Sequence, residues 1–166
     1  TIIVYDGGFE QDAEAVEAAR RLLAVSAPLE KAGPASGQAR HRLGCSRAGA
    51  LALAYDLVHP ALDARERRAF CRWALRSGIE QTLDGLLPHY FHAAGMNIPM
   101  NQCLNVVNVM LAIEGEEGVG DLSGQWQRVM PMVEATCRTA ICPNGYPEED
   151  MGYGTAMVSR LSKTLE

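Results

Sequence analysis

Asn97, Asn101, Asn105 and Asn108 recur at i, i+4, i+8 and i+11, a spacing that puts four carboxamides on one face of a helix beginning early enough to include Asn97. Pro99 argues for Asn97 as a cap or loop residue, with the other amides satisfied between helices. Each buried amide left unpaired costs on the order of 1–3 kcal/mol, so a row of them on an otherwise apolar helix calls for something polar opposite. A second stretch, Pro143 to Thr155, carries Tyr146, Tyr153 and three consecutive carboxylates, Glu148, Glu149 and Asp150, out of a turn and into a helix. Acidic residues ahead of a helix ordinarily complement its N-terminal partial charge, which accounts for Glu149 and Asp150. That does not account for Tyr153. It stands between Gly152 and Gly154, a setting that holds a phenol close to backbone and open to solvent, as a phenolic acid or base requires. His89 and His92 precede the amide row and read as solvated or structural.

The elements that must position these groups read as helices. Only Thr1 to Tyr5 has a β-rich composition. Glu10 to Val25 has Val16, Ala19, Leu22 and Leu23 on one face and ends at Pro28; Ala32 to Gly37 is a loop by composition. Ser46 to Val58 is a nearly all-apolar helix, expected to be buried, and His59-Pro60 stops it. Asp63 and Glu66 have capping-box spacing for a helix from about Asp63 to Ser77, whose apolar face is Ala69, Phe70, Trp73 and Ala74. Gly78 is the expected left-handed residue at its end, ahead of a short helix from Ile79 to about Leu87 that stops at Pro88. Met100 to Glu114 is apolar almost all round and leads into the Gly115 to Gly120 turn. Trp126 to Ile141 is helical, bent or restarted at Pro131, and closed by Pro143-Asn144-Gly145; a last helix runs from Tyr153 to Leu165. Short turns between helices give an all-α chain of antiparallel helical hairpins, without a fixed-period repeat.

Composition narrows the function classes. The 166 residues are 48% hydrophobic and 21% charged, as in a soluble globular domain or part of one. No apolar run reaches the roughly 18 residues of a membrane span. The start, Thr1 to Gly7, has neither an initiator Met nor a secretory layout and reads as processed or trimmed. Fifteen basic against twenty acidic residues, net charge −5, leave no basic cluster dense enough for nucleic acid. The five cysteines, at 45, 71, 103, 137 and 142, form no CxxC pair and read as buried free thiols; Cys137 and Cys142 could bridge only if a helix ended between them. Neither a zinc site nor a disulfide scaffold is supported.

Taken in order, three segments resemble the heparinase II/III-like polysaccharide lyases: Ala50 to Leu62 followed by a capped, Arg-rich helix; the Asn-rich helix ending Leu111-Ala112-Ile113-Glu114-Gly115-Glu116; and Asn144-Gly145-Tyr146-Pro147-Glu148 followed by Tyr153. The resemblance spans about residues 45 to 160. It implies an (α/α) toroid of stacked hairpins, secretion or a periplasmic location, no cofactor, and β-elimination on a uronic-acid polysaccharide. Asn101 is the first candidate to hold the sugar carboxylate, with Gln102 and Asn97 behind it. Tyr153 matches the family's catalytic tyrosine by its distance from Tyr146-Pro147-Glu148, and His92, Glu148 and Tyr146 are further candidates for binding substrate.

The chain departs from the family in two ways. Beside the key Asn stands Ile98-Pro99-Met100 where many members have His or Trp, and the length corresponds to a single partial toroid, residues 1–166, lacking the family's β-sandwich. A partial toroid is expected to leave an apolar edge for a second copy or further chain to cover. A polyanionic substrate also calls for a local basic track, for which Arg40, His41, Arg42 and Arg47 are the candidates, although they equally suit a solvated loop. The alternative function is a non-catalytic helical-hairpin domain binding glycan or protein. A glycoside hydrolase using Glu148 and Glu149 is weaker, because adjacent carboxylates rarely flank one bond from opposite sides.

Overall fold

The computed structural model describes residues 3–5, 8–10, 13–26, 37–86, 97–139 and 144. Helices dominate it. A small antiparallel ribbon precedes them, β1 (Ile3–Tyr5) and β2 (Gly8–Glu10), paired as Ile3 with Glu10, Val4 with Phe9 and Tyr5 with Gly8. The β-branched Ile3 and Val4 suit a pleated strand. Glu10 belongs to β2, so the first helix, α1 (Ala13–Ser26), begins later than its Ala- and Glu-rich composition suggests.

α2 (Gly37–Val58) begins nine residues ahead of the expected Ser46 and takes in part of the supposed loop. A single 3-10 turn, His59–Ala61 with Pro60 in its first positions, ends it. Asp63 then caps α3 (Ala64–Trp73) as its spacing predicts. Its Oδ1 accepts from the backbone N–H of Arg65 and of Glu66, each at 2.8 Å, while Glu66 Oε2 accepts from the Asp63 N–H at 2.8 Å.

The expected helix stop at Gly78 is absent. α3 runs on through wide π-helical turns, Ala74–Glu80 and Thr82–Leu86. The reason is steric. A Cβ at Gly78 would lie 3.1 Å and 3.3 Å from the two methyls of Val109 and 3.7 Å from Ala48 Cβ, so this glycine serves close approach, not a left-handed backbone. Among the described residues, positive φ occurs at Gly115 (82°), Gly118 (83°) and Gly120 (76°), which form the expected turn after the next helix.

That helix is α4 (Asn97–Ile113), which starts at Asn97 and not near Met100. Pro99 falls in its first turn, where a missing N–H breaks no intrahelical bond. α5 (Ser123–Thr139) is one continuous helix through Pro131, not a restart. It opens earlier than Trp126 because Asp121 accepts from the Ser123 N–H at 2.9 Å and from its hydroxyl at 2.7 Å.

The core gathers Leu51, Tyr55 and Val58 of α2, Phe70 and Trp73 of α3, Ile79 of its extension, Val106, Val109, Met110 and Ile113 of α4, and Val129 and Met132 of α5. Phe70 stacks on Tyr55 with centroids 4.2 Å apart and tilts against Trp73 at 5.5 Å. At the periphery, Glu66 receives Arg20 from α1 at 2.8 Å, and Asp84 receives Arg128 from α5. Burial departs from expectation at Leu22, Leu53 and Leu111, which are exposed on α1, α2 and α4. Cys71 and Cys103 are buried free thiols, but Cys137 is free and exposed, inside a helix that continues beyond it to Thr139. Cys142 lies outside the described residues. No described helix is long and apolar enough to cross a membrane.

The Asp63 carboxylate is held below its ordinary value, first by the Glu66 N–H and then by the Arg65 N–H. A depressed folded value means that the cap stabilises fully above the ordinary carboxylate range and that this contribution is lost as pH falls through the folded value. In pH-dependent denaturant titrations Asp63→Ala is therefore expected to be less stable than the parent at neutral pH, with the gap closing below about pH 3.8. A gap independent of pH would contradict the cap.

Candidate functional site

Because α4 opens at Asn97, all four asparagines lie on one helix at the spacing that shares a face. Asn101, Asn105 and Asn108 are half-buried, whereas Gln102 is only 5% exposed. The Gln102 side-chain oxygen, Oε1, has no hydrogen-bond partner, the one such buried atom among the described residues. A buried amide oxygen in that condition costs on the order of 1–3 kcal/mol unless a donor reaches it.

Asn105 shows what holds the row in place. Its carboxamide lies over Gly49 of α2, where an added Cβ would collide with Oδ1, sit 3.3 Å from Cγ and 3.5 Å from the Asn105 Cα. The amide therefore fills a notch that only glycine leaves, and α2 is the wall behind the row. This is the interhelical role expected for an amide on an apolar helix, and it covers Asn105. Cys103, on the same stretch of α4, has its thiol pushed up to about 12 by burial, which makes it inert as a nucleophile near neutral pH.

The structure does not bring the whole predicted constellation together. Tyr153, Tyr146, Glu148 and His92 lie outside the described residues, as do His89, Glu149 and Asp150. Arg40, His41 and Arg42 belong to α2 and not to a loop, and Arg47 is exposed on the same helix.

A second polar group escapes the sequence reading. Tyr55 is fully buried, its hydroxyl 3.8 Å from Cys71 Sγ and near enough to Glu116 to feel its charge. Glu116 Oε1 also meets His59 Nε2 at 2.5 Å, and the His59 ring meets Tyr55 edge-on at 5.4 Å. The cluster ties the end of α2 to the glycine turn after α4. Burial first, and then the neighbouring thiol, push the Tyr55 hydroxyl far above the usual phenol range, and burial raises the Cys71 thiol. Neither exchanges a proton readily near neutral pH, so the group is structural. Its only sequence signal is the i, i+4 spacing of Tyr55 and His59.

Among the described residues no cluster of three His, Cys, Asp or Glu side chains is arranged to hold a metal ion. Comparison with known proteins returns no matching family model, no curated relative and no solved structure.

Gly49→Ala tests the wall behind the row. Alanine would favour an exposed helix position by up to about 1 kcal/mol. Here overpacking against Asn105 should dominate, with a net loss of about 1–3 kcal/mol in denaturant unfolding. The double variant Gly49→Ala/Asn105→Ala should lose less than the sum of the single changes. Additive losses would mean that the two residues do not press on each other.

Proposed function

We propose that this chain is a polysaccharide lyase, or part of one, that cleaves a uronic-acid polymer by β-elimination, with the amide row of α4 as the carboxylate-binding element. The observation that carries the proposal is a helix starting at Asn97, which puts the four asparagines on one helix at the spacing of a shared face. Helix directions support the toroid reading. Gly49 against Asn105 and His59 against Glu116 set α2 and α4 running in the same sense, while Tyr55 on Phe70 and Ala48 beside Gly78 set α3 against α2. Parallel inner helices with returning partners are the layout of stacked hairpins.

In this reading Asn101 donates its amide N–H to the uronate carboxylate, where negative charge accumulates once the C5 proton leaves. The C5 proton passes to a general base, a role for which His89, His92 and an ionised Tyr153 are the candidates, while the C5–H electron pair becomes the C4=C5 double bond and the C4–O bond breaks. Tyr153 gives its proton to the departing glycosidic oxygen. A phenol with its ordinary value of about 10 is suited to that acid role and needs a cationic or hydrogen-bonding setting to act as the base. Asn97, Gln102, His92, Glu148 and Tyr146 complete the proposed substrate contacts.

The packing of Asn105 onto Gly49 favours a second reading, in which the row is interhelical and the domain binds glycan or protein without cleaving it. Incubation with alginate, heparin, heparan and chondroitin, read by the ultraviolet band of a 4,5-unsaturated uronate, separates the two. New absorbance on one of these polymers is expected, whereas binding without absorbance selects the second reading. Tyr153→Phe should lower turnover by about two orders of magnitude or more with folding intact, and Tyr146→Phe much less, because Pro147 biases Tyr146 to an extended, packing role. Equal turnover of Tyr153→Phe and the parent would end the catalytic assignment.

A further inference from the structure

Arg65, Arg68, Arg72 and Arg76 fall at i, i+3, i+7 and i+11 along α3 and its π-helical extension, and all four are exposed. That spacing keeps them on one face of the helix, over roughly 16 Å at 1.5 Å per residue. The fifth arginine of the segment, Arg67, is half-buried, and Glu66 faces away to receive Arg20. Of the described acidic groups near the ridge, Glu80 is exposed four residues beyond Arg76, at the far end of the row. Asp63 is occupied in capping α3, and Glu117 reaches Arg68 at 3.2 Å through side chains that are 81% and 47% exposed. An ion pair so solvated is worth little and exchanges readily for another anion. Among the described residues Arg72 and Arg76 form no ion pair, in a chain whose net charge is −5.

We propose that this arginine ridge is a binding surface for a linear anionic polysaccharide, separate from the amide row of α4. The guanidinium fork matches carboxylates and sulfates in bidentate geometry, and repeated forks along a helix suit a polymer with repeated anions. The surroundings disfavour other polyanions. The aromatic residues of α3, Phe70 and Trp73, are buried, so α3 itself offers no platform for stacking nucleic-acid bases. Among the described residues the exposed large apolar side chains, Leu22, Val25, Leu53, Leu111 and Met130, all lie on other helices, so α3 itself has neither the apolar side that inserts into a membrane nor the apolar centre of a protein interface. The ridge shares a polymer class with the proposed lyase but none of its residues, and binding is measured apart from unsaturation.

The test is fluorescence anisotropy of labelled heparin and alginate oligosaccharides titrated with the chain over a range of NaCl concentrations. The variants are Arg65→Ser/Arg72→Ser/Arg76→Ser and the charge-matched control Arg21→Ser/Arg128→Ser/Arg138→Ser, drawn from other helices, with helicity checked by circular dichroism. The ridge variant is expected to bind at least about tenfold more weakly and with a shallower salt dependence, and the control within about threefold of the parent. Replacing the same three arginines by lysine should restore only part of the affinity, because the bidentate fork is lost while the charge remains. Equal weakening by both serine variants, or no binding by the parent, would overturn the proposal. So would tighter binding of single-stranded DNA or anionic vesicles through the same residues.

Discussion

The structure depends on how closely α2, the π-helical run after α3, and α4 approach one another. Ala48 and Gly49 on α2 and Gly78 on the π-helical run are all buried where larger side chains would meet Val109 or Asn105 of α4. Glycine inside a helix costs roughly 0.5–1 kcal/mol relative to alanine, so two of them at one seam need a packing reason, and the Val109 methyls and the Asn105 amide provide it. Thr82 consolidates the seam by donating its hydroxyl to the Gly78 carbonyl at 3.1 Å, a bond that suits the widened turns there. With the seam closed, the register between α2 and α4 is fixed, and with it the position of the amide row.

Polar chemistry is divided between two places. On α4 the amides are half-buried and stay polar at any pH, and Gln102 retains an oxygen that has yet to meet a donor. At the far end of the same helices, Tyr55 pairs with Cys71 and His59 with Glu116 beside the Tyr55–Phe70 stack, and burial holds the phenol and the Cys71 thiol in their neutral forms. Asn101, Asn105 and Asn108 of the first group are half-buried along one helix, whereas Tyr55 and Cys71 of the second are closed inside the core. That contrast, more than proximity to any helix end, separates a candidate site from a structural cluster.

Much of this was legible in the sequence because local rules sufficed. The Asp63 capping box, the Gly115 to Gly120 turn, the helical character and the apolar face of α3 follow from spacing and composition. What misled was context. Gly78 reads as a helix terminator because its missing side chain commonly serves a left-handed backbone, whereas here it serves contact with a helix thirty residues away in sequence. Ala32 to Gly37 reads as loop, yet α2 starts at Gly37 and its first turns include Arg40, His41 and Arg42. The sequence suggests a basic track there, while the exposed arginines of α3 carry the clearer periodicity once burial shows which side faces water. Asn97 could be either cap or row member by sequence, since a proline two residues on is compatible with both; α4 starts at Asn97 and so includes its backbone in the helix.

The central claim is that Asn101 stabilises negative charge on a sugar carboxylate, and replacement of its amide by an isosteric carboxylate examines that claim most directly. Asn101→Asp leaves shape nearly unchanged but sets one anion against another. On the polymer that the parent cleaves, its rate of unsaturated-uronate formation should fall by about two to three orders of magnitude, the usual scale of a lost transition-state donor, with an unchanged circular dichroism spectrum. Turnover of Asn101→Asp equal to that of the parent would contradict the account.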